Sequence, residues 1–306
     1  MRRLLTLGSS GFVGRTIAGM PEGELNRLGL ELIPPVGHVE LTDPTAILAH
    51  FRETRPDCII HLAAQTFVPE SFRHPEDTFR INFFGTLNVL KGLRDVGFAG
   101  RLVYVSSGDV YGAVRPEQLP VTEMAHARPR NPYAVSKVAA EALCYQWSQT
   151  EGIDIVIARP FNHIGPGQSE RFVVSDFARQ IVEIKLGRRM PQLAVGDIDV
   201  TRDFTDVRDV VRAYFALCDS GVSGETYNIC SGVEWSVRSL IVRMLELTGI
   251  AARLVPDSAR MRKQEQRRMV GSYAKLQEAT GWAPECSIEM SLRDILNYWE
   301  LELGNG

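Results

Sequence analysis

The feature that most constrains the fold is a glycine-rich turn near the start of the chain. Gly8, Gly11 and Gly14 follow the apolar run of residues 4–7 and precede a segment of helical character. A strand, a glycine turn and a helix N-terminus in this order let the backbone approach a pyrophosphate, whose charge the first helical amides favour. The three-and-three spacing departs from the usual G-x-G-x-x-G pattern. Taken alone, the glycine triplet favours a tight strand-to-helix connection with small residues.

Apolar runs alternate with amphipathic segments after this turn, the pattern of a parallel sheet covered by helices. The predicted strands are Leu30 to Ile33, Cys58 to Leu62, Leu102 to Val105, Ile153 to Ala158 and Thr226 to Ile229. The predicted helices are 44–54, 75–95, 133–150, 172–187, 207–219, 236–248, 272–280 and 288–302. The sequence therefore predicts an α/β fold with a doubly wound parallel sheet.

Composition sets further limits. The 306 residues, 44% of them hydrophobic, suffice for a buried core and about two domains. The net charge of −3 gives no indication of a nucleic-acid or membrane partner. The N-terminus enters directly into a strand, and no apolar stretch approaches ~18 residues, which argues for a cytoplasmic protein. The five cysteines show no pairing pattern and are expected to be free thiols, and no metal-ligand spacing occurs.

Tyr133 and Lys137 lie four residues apart, so on a helix they share one face. A phenol ordinarily titrates near pH ~10, and a neighbouring ammonium is expected to bring the pKa of Tyr133 toward the working range of an acid–base catalyst. On its own, this spacing also fits a surface lysine beside a half-buried aromatic ring.

The β-rich run of residues 101–105 ends in the hydroxyls of Ser106 and Ser107. Ligands of an open parallel sheet bind beyond the carboxyl ends of its strands, so both serines are candidates for ligand contact. Serine is also common as a cap or loop residue.

The glycine turn, the hydroxyl-ended strand and the Tyr/Lys helix occur in the order found in the extended short-chain dehydrogenase/reductase family, which the chain resembles over nearly its whole length. The resemblance implies a Rossmann fold and an enzyme whose catalytic residues are Ser107, Tyr133 and Lys137. It also implies that 1–162 with about 205–231 bind NAD(P). The remaining ranges, 163–204 with 232–306, would form a smaller interleaved α/β lobe that binds a nucleotide-sugar.

The cofactor implied by the resemblance is NADPH or NADH. An acidic residue about twenty positions after the glycines usually holds the NAD ribose and a basic one accommodates the NADP phosphate, but residues 32–36 carry neither charge. The resemblance assigns cofactor contacts to Gly8, Ser10, Gly11, Phe12, Val13, Gly14, Glu40, Leu41, Ala63, Ala64, Gln65, Asn82, Ser106, Tyr133, Lys137, Pro160 and Phe161.

Arginines in the second half indicate a phosphate-bearing substrate. Arg202 and Arg262 match positions at which nucleotide-sugar enzymes of the family hold the substrate diphosphate, and guanidinium forks suit phosphate oxygens. The alternative is a pair of surface salt-bridging arginines. The resemblance assigns substrate contacts to Ser107, Asp109, Asn162, Val173, Arg202, Arg260, Arg262 and Lys263.

The residues after Ser107 bear on the reaction. Family members that dehydrate nucleotide sugars carry a Glu or a carboxylate pair next to the catalytic hydroxyl, whereas Gly108 and Asp109 follow here. Segments 159–168, 196–204 and 260–282 resemble enzymes that reduce GDP-4-keto-6-deoxy-D-mannose to GDP-D-rhamnose for bacterial lipopolysaccharide. A GDP-mannose 4,6-dehydratase or a nucleotide-sugar 4-epimerase is the alternative, and a non-catalytic NAD(P)-binding regulator is a weaker one.

The resemblance also implies a homodimer. Paired helices form a four-helix dimer interface in the family, and the corresponding helices carry Phe79, Phe83, Leu87, Leu143 and Trp147. Packing within a single chain could use the same side chains.

Overall fold

The computed structural model describes residues 1–34, 39–260 and 266–304. Its strands are β1 (Arg2–Leu7), β2 (Leu30–Leu32), β3 (Cys58–His61), β4 (Arg101–Val105), β5 (Asp154–Pro160), β6 (Asn162–Ile164), β7 (Gln192–Val195), β8 (Thr201–Asp206), β9 (Thr226–Ile229), β10 (Glu234–Ser236), β11 (Arg253–Pro256) and β12 (Arg268–Met269). Its α-helices are α1 (Phe12–Ala18), α2 (Glu22–Arg27), α3 (Pro44–Thr54), α4 (Val68–Arg73), α5 (Pro75–Phe79), α6 (Gly85–Asp95), α7 (Pro132–Thr150), α8 (Val173–Lys185), α9 (Val207–Ser220), α10 (Val237–Thr248), α11 (Ala274–Thr280) and α12 (Ile288–Gly304). A π-helical turn, Arg80–Phe84, joins α5 to α6, and 3₁₀ turns cover Gly108–Tyr111, Pro116–Gln118 and Ser258–Arg260.

Six strands form a parallel sheet in the order β2-β1-β3-β4-β5-β9. The strand order reverses between β1 and β3, because the chain first builds outward to β2 and then returns past β1. Ligands of doubly wound sheets bind at this switch point, beyond the carboxyl ends of the strands. The predicted doubly wound parallel sheet is confirmed.

Both faces of this sheet are covered, which is why its strands are apolar runs rather than alternating patterns. Leu4 and Val103 belong to one core, together with Tyr214 of α9. Leu5 and Tyr104 belong to the opposite core, which contains residues of α3, α6 and α7.

A second lobe has its own core and sheets. Strand β8 pairs antiparallel with β10 and parallel with β12 and β6, and β7 pairs parallel with β11. Helices α8, α10 and α12 supply buried residues such as Phe177, Leu240 and Trp299. The lobe draws on residues before and after β9, so it is interleaved in sequence with the six-stranded sheet.

The long predicted elements are present, and α3 and β9 begin and end at the predicted residues. The helix predicted at 75–95 contains the π-helical turn. Helices α2 and α4 and all the described strands of the second lobe are not predicted, because strands of two to six residues with remote partners show little periodicity. Residues 32–36 carry no charge that would distinguish NAD from NADP, and residues 35 and 36 of this segment lie outside the described residues.

Candidate active site

A cleft of about 2290 Å³ opens at the carboxyl ends of the central strands. The glycine turn, the segments after β3 and β4 and the start of α7 form one wall, and residues of β6, α8 and β8 form the other. Typical small-molecule sites measure ~300–1,000 Å³. The cleft is therefore large enough for a dinucleotide and a second large ligand.

The glycine turn is built from close backbone approaches. Gly8 has φ +93°, and a Cβ there would lie 2.7 Å from the amide N of Ala63. A Cβ on Gly14 would lie 2.3 Å from the carbonyl O of Gly8, so both positions require glycine. Helix α1 follows Gly11, which offers no side-chain cap, so its first amides can donate to an anionic ligand.

Helix α7 places two of the predicted catalytic side chains on the cleft wall. Asn131 caps the helix by accepting from the amide of Ala134 at 2.7 Å, and Pro132 occupies the first helical position. Tyr133 is thereby fixed in the first turn and Lys137 one turn later, and both line the cleft.

Ser107 completes this group from the opposite side. Its hydroxyl is hydrogen-bonded to Tyr133 and also accepts from the amide of Asp109 at 3.1 Å. The ammonium of Lys137 donates to the carbonyl of Val105 at 2.7 Å and lies 6.0 Å from the centroid of the Tyr133 ring. The structure therefore brings Ser107, Tyr133 and Lys137 together.

The pKa of Tyr133 is raised, mainly by burial and then by the charge of Asp109, while the hydrogen bond with Ser107 lowers it. This corrects the expectation that Lys137 brings the pKa down. The reason is that the phenol is almost wholly removed from water, and the Lys137 ammonium is committed to a backbone carbonyl.

Burial lowers the pKa of Lys137 to about 8, and Cys144 and Glu141 act in the opposite direction. At neutral pH Lys137 is therefore mostly an ammonium and Tyr133 is a phenol. A buried proton donor beside a cation is the arrangement that can protonate a developing alkoxide.

Asn82 lies in the π-helical turn, a feature often found at functional sites. Its Oδ1 accepts from the amide of Gln65 at 2.8 Å, and its Nδ2 donates to the Gln65 carbonyl at 3.1 Å and to Ser136 Oγ at 2.9 Å. Asn82 is buried behind the cleft wall rather than on it. It ties the segment after β3 to the helix that carries Tyr133.

The other predicted cofactor residues line the cleft: Gly8, Ser10, Gly11, Phe12, Val13, Gly14, Glu40, Leu41, Ala63, Ala64, Gln65, Ser106, Pro160 and Phe161. Glu40 Oε1 accepts from the amide and hydroxyl of Thr42 at 3.0 and 2.8 Å, and the carbonyl of Leu41 accepts from Asn88 at 3.0 Å. These bonds fix the loop at the edge of the cleft.

Several buried polar atoms on the cleft wall have no protein partner within the described residues: Thr6 Oγ1, Gln65 Oε1, Ser106 Oγ, Gln168 Oε1 and Tyr214 OH. Buried polar groups are normally hydrogen-bonded, so these atoms fit a polar ligand in the cleft. Thr6, Gln168 and Tyr214 are not among the site residues predicted from the sequence. Thr6 carries a signal, since it interrupts an apolar strand, whereas Tyr214 is an ordinary aromatic on a helix.

The predicted substrate residues Asp109, Asn162, Val173, Arg202 and Arg260 also line the cleft. In β8, Arg202 donates to the carbonyl of Thr201 at 2.7 Å. Arg260 is paired with Asp176 of α8. Arg262 and Lys263 lie outside the described residues.

No group of three or more His, Cys, Asp or Glu side chains within residues 1–34, 39–260 and 266–304 could hold a metal ion. Over the same ranges, no helix has both the length and the apolar character needed to span a membrane.

The chain is similar to known nucleotide-sugar enzymes over almost its whole length. It is 48% identical over 299 residues to the GDP-6-deoxy-D-mannose reductase of Pseudomonas aeruginosa, covering 98% of this chain and 97% of that protein. It is 28% identical to the GDP-6-deoxy-D-talose 4-dehydrogenase of Aggregatibacter actinomycetemcomitans, with 91% of each covered.

Solved structures give the same result. The structure of RMD from Pseudomonas aeruginosa complexed with NADPH superposes with a TM-score of 0.92 at 47% identity, covering 99% of this chain and 100% of that one. The UDP-glucose 4-epimerase of Thermotoga maritima with UDP-glucose gives 0.86 at 27% identity, with the same coverage. Residues 34–295 match the family described as GDP-mannose 4,6 dehydratase. The chain therefore belongs to this family of extended short-chain dehydrogenases/reductases.

Proposed function

We propose that the chain is an NAD(P)H-dependent oxidoreductase that reduces the C4 ketone of GDP-4-keto-6-deoxy-D-mannose to GDP-D-rhamnose. The observation that carries this proposal is the 48% identity to GDP-6-deoxy-D-mannose reductase over 98% of the chain. The cleft supports it, because a module that only binds a nucleotide does not need a buried proton donor beside an ammonium.

Ketone reduction requires a hydride and a proton. The nicotinamide cofactor, when bound, supplies the hydride to C4. Tyr133 donates its phenolic proton to the C4 oxygen as charge develops there, and its raised pKa keeps that proton in place at neutral pH. Ser107, which contacts Tyr133, donates a hydrogen bond to the same oxygen. The ammonium of Lys137 stabilises the phenolate that Tyr133 becomes.

We assign the cofactor to residues 1–162 and about 205–231, and the GDP-sugar to residues 163–204 and 232–306. The glycine turn and the orphaned polar atoms near it support the first assignment, since a dinucleotide carries a pyrophosphate and many hydrogen-bonding groups. The cofactor is NADPH or NADH, as in the related structures solved with NADPH and with NAD.

The substrate diphosphate is assigned to arginines of the second lobe. Arg202 and Arg260 line the cleft opposite the catalytic group. Arg262 and Lys263 are assigned with them from the sequence alone. Asn162 and Val173 would contact the nucleotide sugar between the two walls, and Asp109 would contact the sugar beside Ser107.

We also propose a homodimer formed through α5, the π-helical turn, α6 and α7. Phe84 and Tyr145 on these elements are each 54% exposed, and exposed large apolar residues mark interaction surfaces. Of the side chains named from the sequence, Phe79, Phe83, Leu87 and Leu143 are half-buried and Trp147 is buried. Light scattering after gel filtration should give twice the chain mass, and Phe84→Arg should give a monomer.

We further propose that the protein is cytoplasmic. Four described cysteines are buried and Cys286 is partly exposed, and all five are free. Free thiols persist in a reducing compartment. Fractionation of the native organism would test this location.

The test of the activity is direct. Loss of the reduced-nicotinamide absorbance is followed with NADPH and then NADH after addition of fresh GDP-4-keto-6-deoxy-D-mannose, and NMR identifies the C4 configuration of the product. Oxidation of the cofactor with formation of GDP-D-rhamnose is the expected result. No oxidation, together with keto-sugar formation from GDP-mannose, would instead identify a dehydratase.

A further inference from the structure

A buried hydrogen-bond network lies behind the catalytic group. Both carboxylate oxygens of Glu141 on α7 accept from the guanidinium of Arg159 on β5, at 2.8 Å from Nε and 2.7 Å from Nη2. Nη1 of Arg159 donates to the hydroxyl of Tyr111 at 3.0 Å, and this hydroxyl donates to Oδ1 of Asn228 on β9 at 2.6 Å. All four residues are at most 9% exposed.

The network joins the two elements that carry the catalytic side chains. Glu141 lies one helical turn after Lys137 and on the same face of α7. Tyr111 is the last residue of the 3₁₀ turn that begins immediately after Ser107. The guanidinium of Arg159 also lies 4.9 Å from the centroid of the Tyr111 ring. A single guanidinium therefore links the catalytic helix to the Ser107 turn.

Stability alone explains this network poorly. Removing two charges from water costs about as much as their attraction returns, so a buried ion pair is weak evidence for a stabilising role. The atoms of this pair all have partners, and fully satisfied buried networks fix a single geometry. The roles proposed above use neither Glu141 nor Arg159.

Glu141 also acts on the ammonium of Lys137 through its charge. The titratable groups that face this ammonium are His61 of β3, Tyr104 of β4, and Tyr133, Glu141 and Cys144 of α7. Burial and the charge of Lys137 lower the pKa of His61 to about 3, so His61 is neutral. Burial raises the pKa of Cys144, Tyr104 and Tyr133, so they are neutral as well. Among these described groups, Glu141 carries the carboxylate, and its charge is paired with the buried guanidinium of Arg159.

We propose that Glu141 is a positioning residue for the ketone reduction. Its carboxylate stabilises the ammonium of Lys137 and, through Arg159 and Tyr111, fixes the turn of Ser107 against α7. The inference rests on the proposed reductase function and deepens it with a residue that does not line the cleft.

Glu141→Gln tests the charge. In the wild type, the rate is expected to fall as pH rises through about 8, because Lys137 loses its proton there. Without the Glu141 carboxylate, which raises the pKa of Lys137, this fall should begin at a lower pH. The kcat at neutral pH should drop roughly tenfold, as for a sub-ångström misplacement, with KM little changed. Glu141→Asp retains the charge but shortens the contact, so it should lower kcat and leave the pH profile in place.

Tyr111→Phe tests whether the network fixes the turn of Ser107 against α7. It leaves the ion pair intact and removes the link to the Ser107 turn, so kcat should fall roughly fivefold with an unchanged pH profile. Tyr227→Phe is a matched control, since it removes a buried hydroxyl that accepts from the amide of Val222 at 3.1 Å, without any link to α7. Asp209→Asn removes a buried carboxylate paired with Arg212. Both controls should change thermal unfolding and leave kcat within about twofold.

Each outcome has one meaning. Turnover of the keto-sugar by the wild type tests the proposed function, and NADPH fluorescence shows that each variant is folded. If the wild type is active while folded E141Q and Y111F keep its kcat and pH profile, the inference is wrong. If the two controls lower kcat as much as E141Q and Y111F, the network is merely structural and the inference is also wrong. Should E141Q fail to fold, E141D and Y111F decide the matter.

Discussion

The two walls of the cleft differ in how they hold charge. On the wall of the six-stranded sheet, Lys137 is buried and held by a short backbone bond. On the wall of the second lobe, Arg260 is partly exposed and pairs with Asp176. Outside the cleft, the same lobe carries exposed pairs such as Arg238 with Asp199. Exposed ion pairs contribute little free energy, so their arginines can exchange a carboxylate for a substrate phosphate at small cost.

This contrast separates chemistry from recognition. A proton donor must be held in one geometry before the substrate arrives, because charge stabilisation in the transition state depends on groups that need not reorganise. A diphosphate can be recognised by side chains that change partners. We therefore expect substitutions on the first wall to lower kcat and substitutions on the second to raise KM.

Of the substitutions that test this contrast between the two walls, Tyr133→Phe should have the largest effect. Loss of the general acid is expected to lower kcat by about 10² or more, with KM for the GDP-sugar little changed. Steady-state cofactor oxidation measures both constants. Tyr298→Phe is the control, since Tyr298 is a half-buried tyrosine of α12 that does not line the cleft. Unchanged turnover in Y133F would remove Tyr133 from the mechanism.

Gly14→Ala, on the wall of the six-stranded sheet, should have the second largest effect. It is expected to weaken cofactor binding. The added Cβ would lie 2.3 Å from the Gly8 carbonyl, and the neighbouring backbone cannot move aside without distorting the turn. We expect NADPH affinity, measured by fluorescence titration, to fall at least about tenfold. Gly23→Ala on α2 meets no atom within 4 Å and is the matched control. Equal affinity in G14A and G23A would show that the turn does not hold the cofactor.

Arg202→Ala should raise KM for the GDP-sugar about tenfold, the effect of one charged hydrogen bond, with kcat within about twofold. Arg238→Ala, a change in the same lobe but outside the cleft, should leave both constants in place. A change in NADPH affinity alone would place Arg202 on the cofactor instead. Arg262→Ala is expected to raise KM in the same way, since the sequence assigns both arginines to one diphosphate.

Asp109→Asn should have the smallest effect. The charge of Asp109 raises the pKa of Tyr133, so its removal makes the phenol a stronger acid. The reduction rate should change by no more than about threefold, because the carboxylate is only partly buried. The rate is followed against pH, and NMR of reactions with GDP-mannose should show no dehydration by either protein. Loss of a dehydratase activity in D109N would make Asp109 the base that removes the C5 proton of the sugar during dehydration.

The sequence predicts what depends on neighbouring residues and misses what depends on distant ones. The turn of Gly8 and the pair Tyr133 and Lys137 are local patterns, and the structure places them on one cleft. The raised pKa of Tyr133 is not predicted, because it results from burial that the whole fold creates. Residues 80–84 resemble any other helix in sequence, so the π-helical turn carries no periodic signal.

The network of Glu141, Arg159, Tyr111 and Asn228 shows the same limit. Its members lie up to 117 positions apart, and nothing in their local sequences relates them. Thr6 could have been recognised, since a polar residue inside an apolar strand needs a partner. The strands of the second lobe could not have been recognised from the sequence, because their pairing depends on chain segments on either side of β9.

The interleaving of the second lobe also has a consequence for synthesis on the ribosome. The last strand of the six-stranded sheet ends at Ile229, but the core of the second lobe includes Trp299, whose indole donates to Ser175. At ~5–20 residues per second, the roughly 70 intervening residues take on the order of 4–14 s to emerge. During that interval the nascent chain can assemble the glycine turn and the catalytic group. The apolar face of α8 meanwhile stays exposed, because α12, which packs against it, has not yet been synthesised.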